Sequence, residues 1–555
     1  MPLEYLTDGE LGFIGLNSRD NPASLDKGIL SKSVNFRLDR GVATTRKGLK
    51  KYTEPALYGA TKSVVGSGVY LNATGQEIFI LLIHDSAPGV LNPTKLYEFN
   101  PDTGTFAAPS SLPVSITSSS GVDIIQAVDN VFISRGHDAR PIRWDKVSTF
   151  EVLPTNHEFP NSTGLLFYQN RIIAIGRHLS MAATERKRDT VCVSHFLEYD
   201  KWPALDAFTI NQGGNDEVIA LVPWTMNEFL VLCRNSTFYL NVGSDRYTSG
   251  QALSSTARLE SLSVDIGCVA RKTAVQVGSG VMFLSDNGIY ALEPTKSGQP
   301  DGVKLLTLSD PISANVDDII QRINKDYASQ SVAAYWNNRY YIAVPLDNST
   351  KNNTVLVYNF ILKNWESVDQ YGDEIDIFSF AVGKRDTQRR LYIVDRKEGI
   401  LLNEELQFDE YGPNNGTPML STTPVSGPYV GLTGAYVPFT LTTSGFLNKP
   451  IYGEIQTRRF TAGDGRDKRF SSIECDILSP AGSIVETYAV TNNPDTDTKI
   501  DEFVSPFLED ATRRNPVRKI AYGLQIKFVT SNLQPTIRSN FVKFTGRGKT
   551  NINKQ

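Results

Sequence analysis

The stretch NTVLVYNFILKNWESVD, residues 353–369, decides the fold because it predicts a strand, a tight turn and a second strand. Tyr358 stands near the end of the first strand, and Trp365 stands near the start of the second. An aromatic pair in such a hairpin favours a sheet that packs face to face on a neighbour. The hairpin therefore indicates an all-β fold.

Two other segments follow the same plan. Recurrence of one hairpin along a chain indicates a repeat architecture, in which each repeat buries its apolar faces against the next. The two segments and their aromatic residues are TKLYEFNPDTGTFAAP (94–109) with Tyr97 and Phe106, and RPIRWDKVSTFEVLP (140–154) with Trp144 and Phe150.

Residues 56–411 contain short β-rich runs at a spacing of roughly 40–55 residues, which is typical of propeller blades. They group into about seven units, and we expect a β-propeller of about seven blades, closed by a strand from residues 40–55. The six aromatic residues of the hairpins then have a packing role in the widening wedge between blades. A sugar-stacking platform is the functional alternative for Tyr358 and Trp365.

The flanking segments differ from the repeats. Residues 1–55 predict an N-terminal arm or closure segment, and residues 412–555 predict a C-terminal β-sandwich-like domain after a Gly- and Pro-rich linker. One segment, SDPISANVDDIIQRINKDY (309–327), has apolar residues at helical spacing, with Asp310 as N-cap and Pro311 at the first helical position. It predicts one inserted helix on the propeller surface.

The composition is that of an ordinary globular protein. The 555 residues are 40% hydrophobic and 21% charged, with a net charge of −4, which disfavours a chain that binds nucleic acid over its whole surface. The four cysteines are far apart and predict buried thiols rather than disulfides or zinc ligands. The chain shows no signal peptide and no apolar span of about 18 residues, so we expect a soluble protein that folds in a reducing cytosol.

Two segments are rich in basic residues, namely 32–51 and 511–555, and the second holds no Asp or Glu. We expect these strips to make assembly contacts with acidic faces rather than to bind DNA tightly. The candidate assembly contacts are Arg37, Arg40, Arg46, Lys47, Arg513, Arg514, Arg518 and Lys519.

Motifs of catalysis are absent from the sequence: it has no phosphate-binding Gly-Lys loop, no His-Glu-x-x-His and no nucleophile elbow. The stretch SDNGIYAL (285–292) predicts an Asn-Gly turn between strands rather than a glycosidase Asp box. Asp495, Asp497 and Asp501 share a polar loop that resembles an exposed turn more than a Ca²⁺ site. We expect no enzyme activity, no cofactor and no obligatory metal.

Several stretches, read in order, resemble a family of tail nozzle or hub proteins of short-tailed bacteriophages, also described as packaged-DNA stabilisation proteins. The N-terminal residues 15–52 are similar to the beginning of such proteins, with Asn35, Arg37, Gly41, Arg46 and Gly48 at the recurring positions. Further similar stretches are CVSHFLEYDKW (192–202), GGNDEVIALVPWTMNEFLVLCRNSTFYLNVG (213–243), residues 266–292, residues 311–369, and IQTRRFTAGDGRDKRFSSIECDI (455–477).

The resemblance covers about two thirds of the chain and implies a virion structural protein. It implies a hexameric ring below the head-to-tail adaptor ring, contacts with tail fibres, spikes or a needle, and transient passage of genomic DNA, with no membrane anchoring. Such a subunit is assembled in the cytoplasm of the host bacterium and ends in the virion tail. A glycan-acting propeller enzyme and a cellular propeller scaffold are the alternatives.

Overall fold

The computed structural model describes most of the chain, in which β-strands predominate. The described residues are 5–52, 61–91, 93–117, 121–147, 149–181, 188–211, 216–225, 227–242, 257–293, 311–371, 375–397, 399–406, 409–410, 448–461, 467–491, 497–505, 508–531 and 533–546. The chain divides into two compact units. The terminal unit comprises Met1–Lys51, Thr354–Glu374 and Leu401–Gln555, and the propeller unit comprises Tyr52–Asn353 and Ile375–Ile400.

The strands are numbered here in chain order. Strands β1 to β15 are Tyr5–Glu10, Gly15–Leu16, Ile29–Val34, Phe36–Asp39, Val42–Thr45, Gly48–Tyr52, Lys62–Leu71, Glu77–Asp85, Thr94–Asn100, Thr105–Phe106, Ser110–Ser111, Val122–Ala127, Asn130–Arg135, Ile142–Trp144 and Phe150–Val152. Strands β16 to β28 are Gly164–Tyr168, Arg171–Ile175, Thr190–Val193, Ala207–Thr209, Val218–Thr225, Glu228–Cys233, Thr237–Asn241, Arg258–Ser263, Val275–Val277, Gly280–Ser285, Gly288–Leu292, Val332–Trp336 and Arg339–Val344. Strands β29 to β42 are Thr354–Asn359, Asn364–Gln370, Ile377–Arg385, Gln388–Asp395, Gly399–Leu406, Asp409–Glu410, Asn448–Lys449, Gly453–Thr457, Lys468–Ser479, Ile484–Val490, Thr498–Val504, Glu509–Ala521, Gln525–Ser531 and Thr536–Gly546.

The described residues of the propeller unit form seven antiparallel sheets, and the sixth consists, within this unit, of β27 and β28. They begin with β7, β12, β16, β20, β24, β27 and β31. Each of these first strands lies against the first strand of the next sheet, and β31 lies against β7. The seven sheets therefore close a ring, which confirms the predicted seven-bladed propeller.

The second strand of each blade explains how the sequence specifies this packing. Strands such as β17 (Arg171–Ile175) and β28 (Arg339–Val344) are buried on both faces. A strand that has a neighbouring blade on each face needs a continuous apolar run rather than an alternating one. Strand β20 (Val218–Thr225), at the inner edge of its blade, alternates between buried and half-buried positions. Apolar clusters between successive blades form the core, for example Ile80, Leu82, Val131, Ile133 and Trp144.

The inserted helix is shorter than the sequence predicted. Among the described residues of this segment only α1, Asp317–Ile320, is α-helical, and it follows a 3₁₀ turn at Ala314–Val316. Asp310, the expected N-cap, lies outside the described residues. Val316, Ile319, Ile320 and Ile323 are all buried, whereas Asn315, Asp318, Gln321 and Arg322 are exposed. The segment therefore packs one apolar face on the propeller unit and exposes its other face, as expected of a surface segment. Two short turns bury these side chains as effectively as one long helix, and Ile323 forms an isolated bridge with Leu346 that ends the helical path.

The terminal unit is a β-sandwich. Within this unit, one sheet has the strand order β29-β30-β2-β3-β36-β41-β38-β39, and the other has the order β4-β5-β42-β37-β40, with β1 paired to β42. Apolar side chains from both sheets form one core; examples are Phe36, Phe470, Ile473, Phe528 and Val542.

The sandwich draws on distant parts of the sequence. Strand β3 pairs with β36, so that Leu30 lies opposite Thr457. The sequence predicted a separate arm over residues 1–55, but the described residues up to Lys51 supply strands to the same unit as the C-terminal strands. The chain changes from one unit to the other after Lys51, Asn353, Glu374 and Ile400. The predicted linker after residue 411 lies outside the described residues as far as residue 447.

Candidate assembly surface

The aromatic residues of the first two hairpins lie in packed positions of the propeller unit. Tyr97 is 3% exposed in β9, and Phe106 lies opposite Phe99 with the ring centroids 4.9 Å apart. Trp144 and Phe150 are directly opposite each other on β14 and β15, and their rings stack at 5.4 Å. These four side chains fill space between strands and sheets, so they do not form a binding platform.

The third hairpin belongs to the terminal unit. Tyr358 lies opposite Trp365, with ring centroids 5.3 Å apart and an interplanar angle of 71°. Trp365 is 1% exposed, and on the other side of its strand it lies opposite Leu16 of β2. Trp365 therefore packs within the sandwich, whereas the sequence predicted a place between two blades, because β30 pairs with the N-terminal strand β2.

Arg37 makes an internal ion pair. Its guanidinium donates two hydrogen bonds to the carboxylate of Asp369, at 3.0 Å and 2.5 Å, and the Asp369 side chain is fully buried. Arg37 is therefore engaged within the terminal unit and is not available as an assembly contact.

Arg46 is more deeply buried, with 1% of its side chain exposed. It donates to both carboxylate oxygens of Asp409 at 2.9 Å and 2.7 Å, and to Oδ1 of Asn35 at 3.0 Å. Its guanidinium also lies 4.3 Å from the centroid of the Tyr371 ring. Burial alone would lower the pKa of Arg46, but the Asp409 carboxylate outweighs it and holds that pKa above its ordinary value.

The basic residues at the start of the C-terminal strip also have partners. Arg513 pairs with Asp501 at 3.2 Å and lies over the ring of Phe503. Arg514 pairs with Glu474 at 3.2 Å across the β37–β40 pair. Exposed or half-buried pairs of this kind contribute little to stability, but they neutralise much of the positive charge that the sequence suggested.

Four of the eight predicted contact residues differ from the others because the described part of the chain gives them no ion pair. Arg40 and Lys47 are exposed in the N-terminal segment, and Arg518 is exposed and Lys519 half-buried in β40. Arg40 follows β4 with a φ of 48°, and Arg518 has a φ of 53°. We call Arg518 and Lys519 the basic pair of β40.

Strand β40 is the last strand of its sheet, so over the described ranges one of its edges has no sheet partner. An open edge offers backbone N–H and C=O groups to another chain. Beside it, a β-bulge at Ser471 opens a groove of about 590 Å³. The groove is lined by Ser471, Ser472, Arg514, Pro516 and Lys543.

The described residues contain no group of three or more His, Cys, Asp or Glu side chains that could hold a metal ion. Asp497 pairs with Lys527 and Asp501 with Arg513, while Asp495 lies outside the described residues. Ser285 lies opposite Gly288 in the β25–β26 hairpin, so the two turn residues are Asp286 and Asn287 and not Asn287 and Gly288, as the sequence predicted. Within the described chain, no helix has the length and apolar character needed to cross a membrane.

Comparisons with known proteins add the following. No family model matches the chain, and no curated protein matches it. Among solved structures, one described as "Crystal structure of BBS1N in complex with ARL6DN, soaked with mercury" aligns with 65% of this chain and 97% of that chain. The sequence identity is 12% and the TM-score is 0.38. A likeness at this level carries no argument about function.

Proposed function

We propose that this chain is a structural subunit of a bacteriophage tail, a nozzle or hub protein that forms a ring and continues the DNA channel below the head-to-tail adaptor. In this role it retains packaged DNA and passes it during ejection. The observation that carries the proposal is the ordered resemblance of residues 15–52, 192–243, 266–369 and 455–477 to this family.

The pairing of two strands, one from the first of these stretches and one from the last, supports the proposal. Strand β3 lies within residues 15–52, and β36 lies within residues 455–477. The two strands are hydrogen-bonded neighbours, with Ser33 opposite Ile455. Two similar stretches that are separated by several hundred residues thus form one part of one sheet, so their joint presence has a structural reason.

The surface of the sandwich supports an assembly role. A ring subunit needs an exposed surface for its neighbours, and β40 offers an edge that no other described strand pairs with, next to the basic pair Arg518 and Lys519. The half-exposed Ile520 adds an apolar side chain to the same strand. This combination suits contact with an acidic strand or face on a neighbouring subunit or on the adaptor ring.

The neutralised charges support weak contact with DNA. Arg37, Arg46, Arg513 and Arg514 all pair with carboxylates, so half of the eight predicted cations are already neutralised within the described residues. Each phosphate that a protein neutralises adds affinity and salt dependence. We expect a dissociation constant for duplex DNA no tighter than about 1 μM at physiological salt. A submicromolar and steeply salt-dependent value would overturn this part of the proposal.

The assembly role is tested by the mass of the particles in solution. A deletion of residues 511–555 is unsuitable, because it removes β41 and β42 from the middle of both sheets of the sandwich. The test is the double variant Arg518→Glu and Lys519→Glu, measured by light scattering over a range of concentrations. The matched control is Lys363→Glu with Lys397→Glu, which changes the charge equally at two exposed positions elsewhere.

The expected result is that the wild type and the control form particles several times heavier than the 61.4 kDa chain, while the test variant shifts toward single chains. A wild-type protein that stays at the mass of one chain at every concentration would count against a ring subunit. An unchanged assembly of the test variant would remove the basic pair of β40 from the interface.

A further inference from the structure

A 3₁₀ turn, Arg271–Thr273, precedes the first strand of the fifth blade and lies against the first strands of the fourth and sixth blades. The Arg271 guanidinium donates from Nε to the carbonyl oxygen of Ile219 at 2.9 Å, and from Nη1 to the carbonyl oxygen of Thr163. Ile219 belongs to the fourth blade, and Thr163 directly precedes the third. Arg271 therefore connects the inner strands of neighbouring blades.

Lys272, the next residue, reaches a different part of the ring. Its ammonium lies 3.9 Å from the centroid of the Phe378 ring, in the first strand of the seventh blade. The Arg396 guanidinium lies 5.0 Å from the centroid of the same ring. The sixth blade stands between the fifth and the seventh in the ring. The Lys272 side chain therefore passes the first strand of the sixth blade to reach the first strand of the seventh. Two cations and one aromatic ring thus meet at the inner end of the propeller.

The charges at this place are unevenly matched. Arg396 pairs with Asp376 at 2.9 Å. The Asp123 carboxylate accepts hydrogen bonds from the backbone amides of Ile124 and Leu165. An ammonium has three donors, yet the described residues supply the Lys272 ammonium with no hydrogen-bond acceptor and no carboxylate within ion-pair distance.

The protonation of Lys272 reflects this imbalance. The pKa of Lys272 is lowered to about 8, chiefly by burial; Asp123 opposes this shift, and the nearby Arg271 and Arg396 add to it. The side chain is half-buried by its surface exposure, so water and small solutes still reach it. An anion that accepts hydrogen bonds from the ammonium would stabilise the positive charge at this place.

We propose that the inner end of the propeller binds a small oxyanion, such as inorganic phosphate, through the Lys272 ammonium, in the positive field of Arg271 and Arg396. The oxyanion accepts hydrogen bonds from Lys272 and offsets the cation that has no carboxylate partner. Phe378 covers one side of the site and limits its size. The site shares no residue with the assembly surface and does not depend on the proposed function.

The test is calorimetric titration of the full-length protein with inorganic phosphate at constant ionic strength, with chloride as the competing salt. The wild type is expected to bind phosphate saturably. Lys272→Met is expected to weaken binding about tenfold or more, while Lys272→Arg, which keeps the charge and the donors, should retain most of it. Lys397→Met is the control, because Lys397 is an exposed lysine of the same unit.

A second measurement uses the wild type alone. If phosphate binds to charged Lys272, binding near pH 8 draws a fraction of a proton from the buffer, of the order of half a proton per site. Titrations in two buffers with different ionisation enthalpies measure this uptake. Absence of saturable binding in the wild type, equal affinity of Lys272→Met and wild type, or binding without proton uptake would each overturn the proposal.

Discussion

The buried ion pair between Arg46 and Asp409 allows a strict test of the terminal unit. Both arginine Nη atoms donate to the Asp409 carboxylate, and the two side chains are 1% and 5% exposed. Asp409 also accepts a hydrogen bond from the backbone N–H of Leu49 at 3.0 Å. Asp409→Asn would leave the Arg46 charge buried without its counter-charge, which typically costs about 3–5 kcal/mol.

A matched control exists in the propeller unit. Arg322 and Asp347 form an equally bidentate pair, at 2.8 Å and 2.6 Å, but their side chains are 51% and 59% exposed. Asp347→Asn should cost about 0–1 kcal/mol, because water replaces the lost partner. The two substitutions make the same chemical change, so a difference in the stability that they remove is due to the difference in burial.

The assay is differential scanning calorimetry. A unit of this size loses about 2–4 °C in Tm per kcal/mol of stability. Asp409→Asn should therefore lower the Tm of the terminal unit by about 6–20 °C. Asp347→Asn should lower the Tm of the propeller unit by less than about 4 °C. Equal shifts would refute the reasoning. Arg46→Met combined with Asp409→Leu should recover part of the loss, since an apolar pair leaves no charge behind.

Three further predictions concern packing. Trp365→Ala should destabilise the terminal unit by about 3–5 kcal/mol through a cavity, and an unchanged melting curve would instead make Trp365 a recognition residue. Gly176→Ala should destabilise the propeller unit strongly, because the added Cβ would lie 2.0 Å from the carbonyl oxygen of Asn161. The control in the same melting experiment is Gly121→Ala, whose Cβ would lie at an ordinary contact distance of 3.6 Å from Thr163. The four cysteines are free and buried, and burial raises the pKa of the Cys192 thiol to about 12. A thiol reagent should therefore modify all four only after denaturation. Rapid labelling of the native protein at about pH 8 would contradict the packing.

The local patterns of the sequence predicted the propeller well. Hairpins such as 140–154 and apolar runs such as Arg339–Val344 depend on neighbours that are close in the chain, and both are blade strands in the structure. The inserted helix was predicted too long. The spacing of Val316, Ile319, Ile320 and Ile323 shows only that these side chains are buried, and two short turns satisfy that need.

The candidate contacts could be predicted only in part, because charge patterns do not reveal partners far away in the sequence. Arg37 and Arg46 read as members of an exposed basic strip, yet Asp369 and Asp409 neutralise them from more than 300 positions away. Trp365 was placed between blades for the same reason, since its neighbour Leu16 comes from the N-terminal segment. No sequence pattern indicated an anion site at Lys272, because an Arg-Lys pair before a strand is common at protein surfaces.

The most direct test of the central claim is an electron-microscope image of the purified protein in negative stain. If the chain is a tail nozzle or hub subunit, class averages should show rings of several copies around an opening wide enough for duplex DNA. Particles of a single 61.4 kDa chain at every concentration, with no ring when the protein is concentrated, would contradict the account.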